Sequence, residues 1–194
     1  MKNVLSILDK EILSKKSYFS ENFLNSLKED FEASFVHNRP HEDKQYFERF
    51  VWIISKNILS LQNFILSEIY SHFNINDDNL FYYESWIYKS DKKTVIDGYH
   101  THDFGGNINK VFPKPTHTFV FYVSMPNNDE GKLWFKLNEE TNYYQPSVGE
   151  LLIFPTDLPH MPEMNPNSDI PRLVYAGNFC KINKNYKKET KTLI

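Results

Sequence analysis

The spacing of apolar positions divides the chain in two. Over the first seventy-five residues the period is helical. Val4, Leu5, Ile7, Leu8, Ile12 and Leu13 share one broad side, which predicts a short amphipathic helix over residues 1–13. Phe23, Leu24, Leu27, Phe31 and Phe35 predict a second helix, with Ser20 as its N-cap; Pro40 closes off the segment that follows. Phe47, Val51, Ile54, Ile58, Leu61, Ile65 and Ile69 recur at steps of three and four, which predicts a third helix from Asp43 to about Phe73. Its apolar face is wide enough to lie across a sheet.

After the turn-rich link at residues 74–79 the pattern changes to that of strands. β-branched and aromatic residues crowd Phe81–Lys89, Thr94–His100, Thr116–Met125, Lys132–Leu137, Glu150–Phe154 and Arg172–Phe179. Helices first and strands second predict an α+β class, an antiparallel β unit with helices on one side. The expected division is one domain over residues 1–194: helical support over 1–75, a β-barrel core over 80–180, and a polar tail over 181–194.

Composition narrows the function classes. A net charge of −3 gives no general attraction to nucleic acid or to an anionic membrane. No stretch is apolar enough for a membrane span or a secretory signal. The single cysteine, Cys180, cannot form an internal disulfide and fits a reducing, cytoplasmic setting as a small buried apolar residue. The expected partner is a small-molecule substrate, with neither membrane nor nucleic acid; pairing through the third helix would give a homo-oligomer.

The candidate chemistry lies in the β half. His100 and His102 form a His-x-His element, and on a strand residues i and i+2 face the same way. His160 follows sixty residues after His100, beyond an apolar strand and a Pro turn. Brought together by a small barrel, these imidazoles make a metal site with open positions, a pattern of non-haem iron oxygenases. Asp103 is the alternative third ligand, because a bulge could turn it inward. Arg172 opens a later apolar strand; a guanidinium pointing into a barrel requires an anion. His37, His41, His72 and His117 show no ligand spacing and read as surface, cap or structural residues.

The ordered series His100-x-His102, Thr118-Phe-Val-Phe-Tyr-Val123, Gly131-Lys-Leu-Trp-Phe135, Gly149-Glu-Leu-Leu-Ile-Phe-Pro155 with His160, and Ser168-Asp-x-Pro-Arg172 resembles the 2-oxoglutarate/Fe(II)-dependent dioxygenases over about residues 81–180. It is most similar to a small branch with His-x-His in place of the usual His-x-Asp. The resemblance implies a double-stranded β-helix, or jelly roll, with N-terminal supporting helices. It implies Fe(II) as cofactor, 2-oxoglutarate as co-substrate, and hydroxylation of a small molecule or side chain with release of succinate and CO2. His100 and His160 match the two histidine ligands, and His102 falls where a carboxylate is usual. Arg172 matches the arginine that binds the distal carboxylate of 2-oxoglutarate. Tyr122 matches a tyrosine bonded to the same group, and is the more needed because Val174 supplies no hydroxyl. Substrate is expected near Trp86, Phe104, Trp134 or Phe135, and residues 104–115 read equally well as a lid over the site or as a plain surface loop.

Two other readings fit the residues less fully. One is a cupin-type three-His dioxygenase or isomerase without 2-oxoglutarate, which leaves Arg172 without a purpose. The other is a non-catalytic β-barrel that binds a small molecule.

Overall fold

A computed structural model describes residues 2–36, 47–50, 55–75, 80–91, 94, 98–102, 114–126, 130–163 and 167–181. The elements in chain order are β1 (Lys2–Ile7), β2 (Lys10–Lys16), α1 (Glu21–Val36), β3 (Phe47–Phe50), α2 (Lys56–Phe73), β4 (Leu80–Ser90), β5 (His117–Ser124), β6 (Leu133–Leu137), β7 (Glu140–Tyr144), β8 (Glu150–Pro155), β9 (His160–Pro162) and β10 (Arg172–Lys181). Seven strands form one sheet in the order β1-β2-β8-β5-β10-β4-β3, and three form a second, β7-β6-β9. Every pairing is antiparallel.

Side-chain alternation along the large sheet builds two cores. Phe119, Phe121, Val123, Leu151, Ile153, Leu173 and Tyr175 face one way, against Leu27 and Phe31 of α1 and Ile58, Leu61, Phe64, Ile65 and Ile69 of α2. Val120, Tyr122, Leu152, Phe154, Val174 and Ala176 face the other way, against Leu133 and Phe135 of the small sheet. The central strands β5, β8 and β10 are buried on both faces, so they read as continuous apolar runs. Each fully buried Ile, Leu or Phe side chain contributes about 1.5–3 kcal/mol. The α+β class, the helical layer on one face and α1 match the sequence expectation.

Three elements differ from it. Residues 2–16 form the hairpin β1–β2 rather than a helix. Ile7 pairs with Lys10 across a two-residue turn in which Leu8 and Asp9 both take positive φ, 51° and 59°. This backbone suits a hairpin, yet Leu-Asp carries none of the usual Asn-Gly or Gly signal. Ile12 packs inside the barrel and Leu13 against the helices, so adjacent apolar residues serve opposite faces of a strand.

The long third helix begins only at Lys56, where the Ser55 hydroxyl caps the Ile58 amide at 3.1 Å. Its expected first part contains β3, an edge strand on β4. Finally, the segment expected as a strand over 94–100 supplies, among its described residues, only a bridge at His100. The small sheet gains β7 and β9, which the pattern of residues had not marked.

Candidate metal centre

The β6–β9 pairing sets Phe135 opposite His160, and His160 is in turn bridged to His100. Each of the two histidines donates its backbone N–H to the other's carbonyl at 3.0 Å. Directly opposed antiparallel residues present side chains to one face, so both imidazoles point the same way. His102 is fixed separately: its amide donates to Thr156 O at 3.0 Å, at the end of β8. The Pro turn after β8 returns the chain so that Thr156 and His160 meet one His-x-His segment.

The three rings converge. Their centroids lie 4.5 Å apart for His100–His160, 5.0 Å for His102–His160 and 5.2 Å for His100–His102. One ring nitrogen from each lies within 4.8 Å of the others. The His160 Nδ1–H donates to Leu158 O at 3.0 Å, which leaves Nε2 as the free lone pair. Burial, then the neighbouring His100 charge, pushes His102 down to about 4. Burial, followed by His100 and His102, holds His160 well below the usual imidazole range. Neutral imidazole is the form that ligates a metal. His160 is buried, His102 half-buried and His100 exposed, so the triangle opens on the His100 side. This donor set fits a first-row divalent ion. Asp103, Phe104 and most of the expected lid lie outside the described residues.

Arg172 and Tyr122 lie on adjacent inner strands, β10 and β5, and both are only 2% exposed. The Arg172 guanidinium lies 5.5 Å from the centroid of the Tyr88 ring. Its Nη2 is buried without a hydrogen-bond partner, and among the described residues no carboxylate pairs with it. Burial lowers its proton affinity, opposed chiefly by Tyr88 and Tyr122. Arginine nevertheless stays charged. Burial raises the Tyr122 phenol far above its usual range against the pull of Arg172, so it remains a donor. A buried cation with an unused donor beside a buried phenol has the chemistry to accept a carboxylate.

Of the expected substrate contacts, Trp86 has its ring 5.4 Å from that of His102. Phe135 is fully buried inside the barrel. Trp134 takes the opposite face of β6, against Tyr143 at 5.0 Å, and so points away from the site. His117 lies 4.4 Å from the Phe73 ring and 5.4 Å from Phe179, outside the metal triangle and in the structural role expected of it.

Reading the sequence missed Glu150 as a buried polar centre. It sits in the inner row next to Tyr122, since Phe121 pairs with Leu151. Its carboxylate accepts from Ser14 Oγ and Tyr144 OH, each at 2.5 Å, and from Ser147 N and Oγ at 2.8 and 2.9 Å. Burial, then the bond to Glu150, pushes Tyr144 up to about 12. The only signal was a carboxylate opening an apolar strand.

No protein-family model matches the sequence, and no curated protein matches it. Solved structures do match by shape. A prolyl-4-hydroxylase from Pseudomonas putida is 14% identical, with a TM-score of 0.63 over 89% of this chain and 92% of that one. HygX from Streptomyces hygroscopicus, solved with nickel, 2-oxoglutarate and hygromycin B bound, is 12% identical, with a TM-score of 0.63 over 87% of this chain and 82% of its own. SnoK, a non-haem α-ketoglutarate-dependent carbocyclase from nogalamycin biosynthesis, is 14% identical, with a TM-score of 0.66 over 88% and 79%. This chain therefore has the double-stranded β-helix fold of the 2-oxoglutarate/Fe(II) oxygenases.

Proposed function

We propose that the protein is a 2-oxoglutarate- and Fe(II)-dependent oxygenase that hydroxylates a small molecule or side chain, releasing succinate and CO2. The observation that carries this reading is the unpartnered Nη2 of buried Arg172, on the inner face of the same barrel as the three-imidazole triangle. Tyr88 hydrogen-bonds the guanidinium and Glu163 attracts it, but a cupin-type centre or a simple binding barrel gives the remaining Nη2 donor no use.

In this reading His100, His102 and His160 hold the iron. When bound, the iron supplies activation of oxygen coupled to decarboxylation of the co-substrate. Arg172 and Tyr122 take the distal carboxylate through charge-assisted bonds and so orient the keto acid towards the triangle. The Leu158 carbonyl keeps the His160 tautomer fixed. Phe154, whose ring lies 4.8 Å from that of His160, and Phe135 exclude water from the inner side. Trp86 borders the triangle at His102 and is the first surface a substrate would meet. The bound hygromycin B in the HygX structure supports a small-molecule substrate class. The reading also takes residues 1–194 as one domain and the cytoplasm as its location, in keeping with a single buried, unpaired Cys180.

Calorimetry tests this reading. Titrating 2-oxoglutarate into Ni(II)-loaded protein should give one binding event that disappears without metal. Equal binding with and without metal, or none in either, would count against it.

A further inference from the structure

The two histidines of the His-x-His element are held by different sheets. His100 pairs through its backbone with His160 of β9, and so joins the small sheet. His102 donates its amide to Thr156 O at 3.0 Å, and Thr156 directly follows β8 of the large sheet. Thr156 extends the β5–β8 pairing by one step. Thr118 lies opposite Phe154 and His117 opposite Pro155, and the Thr156 amide then donates to Thr116 O at 3.1 Å. Thr116 in turn donates its amide to Phe179 O of β10 at 3.0 Å. Backbone bonds thus run in line from β10, through the start of β5 and the end of β8, to His102.

Thr156 makes one further bond. Its buried hydroxyl donates to Pro115 O at 2.9 Å. Amide and hydroxyl therefore grip two successive carbonyls, Pro115 O and Thr116 O. Pro115 is itself buried, and a buried carbonyl left without a donor is costly. Two bonds on one side of Thr156 set the direction of its own carbonyl, which receives His102 on the other side. Threonine suits this position, because branching at Cβ restricts χ1 and holds the hydroxyl in one direction.

Resting on the function proposed above, we propose that Thr156 is a positioning residue for the metal ligand His102. It ties to the large sheet the backbone from which that imidazole leaves, while the small sheet supplies His100 and His160. The spacing between the two sheets then sets the size of the metal triangle. A residue that orients a ligand in this way changes metal affinity without touching the ion.

Hydrogen exchange of isotope-labelled, metal-free protein, read amide by amide, tests this together with calorimetry of Ni(II) binding. Thr156→Val keeps the branched shape and removes the hydroxyl, whereas Thr156→Ser keeps the hydroxyl. In Thr156→Val the His102 amide is expected to exchange about tenfold faster, while the His100 amide, bonded to His160 O, keeps its rate. Ni(II) affinity is expected to fall about tenfold in Thr156→Val and to return in Thr156→Ser. A role in stability alone would speed exchange at both amides together. Thr156→Ala, which also lacks the hydroxyl, goes through the same measurements, so a packing fault peculiar to valine does not decide the result. Unchanged His102 exchange, equal acceleration at His100, unchanged Ni(II) affinity, a serine variant that behaves like the valine one, or unfolding of both hydroxyl-free variants overturns the inference alone. A wild type that binds no Ni(II) overturns the functional reading and the inference with it.

Discussion

His100 and His160 are a hydrogen-bonded antiparallel pair whose backbones exchange two 3.0 Å bonds, so two candidate metal ligands are set by main-chain geometry rather than by loop packing. Such a pair fixes the direction in which both side chains leave the main chain before any ion arrives. Each single change, His100→Ala or His160→Ala, is therefore expected to lower Fe(II) or Ni(II) affinity by more than about 100-fold, beyond the loss typical of outer partners. Equilibrium dialysis with metal analysis checks this. Retention of full affinity in both variants would remove the triangle from the site.

Arg172 separates a functional cation from a structural one. If it exists to bind a carboxylate, its buried Nη2 donor, left without a partner until the co-substrate arrives, costs the protein stability. Arg172→Met is then expected to leave stability unchanged or to raise it by about 1 kcal/mol or more, while 2-oxoglutarate affinity falls by about 100-fold or more. Urea unfolding without co-substrate, together with calorimetry, reads both quantities. A loss of several kcal/mol in stability would mark Arg172 as a scaffold residue.

Glu150 is expected to matter for stability. Four donors converge on its carboxylate, and Glu150→Gln inserts an N–H where only acceptors fit. The expected cost is about 1–3 kcal/mol in urea unfolding. Tyr144→Phe, which removes one donor, should cost less.

Acid should weaken the metal-free protein through its buried imidazoles. Burial, ahead of the charge of His72, pushes His117 down to about 4, and His102 is likewise held at about 4. Between about pH 6.5 and 4 the unfolded chain binds protons that these folded imidazoles refuse. Stability from this source is present above the unfolded value and falls as pH drops through that window. His117→Phe, placed among Phe73 and Phe179, should flatten the slope. A slope unchanged in the variant, measured by thermal unfolding across that range, would contradict this.

The clustering of the histidines was more legible in the sequence than the supporting layer. His100, His160 and Arg172 were readable because a metal ligand or a buried guanidinium has few other uses on an apolar strand. The fold class followed from the change of period near Asn74. The first hairpin was not legible, because Leu8-Asp9 occupies a turn that normally advertises itself with Asn or Gly. The start of α2 was obscured because Phe47, Val51 and Ile54 continue its period by chance; the deciding feature was the Ser55 hydroxyl, which also donates to Asp30 at 2.6 Å, a contact across the fold. Glu150 was hidden for a related reason: besides the nearby Tyr144 and Ser147, its carboxylate depends on Ser14, 136 residues away on β2.

In the proposed function, one barrel holds a metal-binding triangle and an arginine that together receive a keto dicarboxylate. Anaerobic titration of the Fe(II)-loaded protein with 2-oxoglutarate, in wild type and Arg172→Ala, tests it most directly. A visible charge-transfer band of a chelated keto acid is expected in wild type, needing about 100-fold more 2-oxoglutarate in the variant. Iron binding without that band would contradict the 2-oxoglutarate reading and favour a three-histidine centre of the cupin kind. No iron binding at all would contradict the metal centre itself.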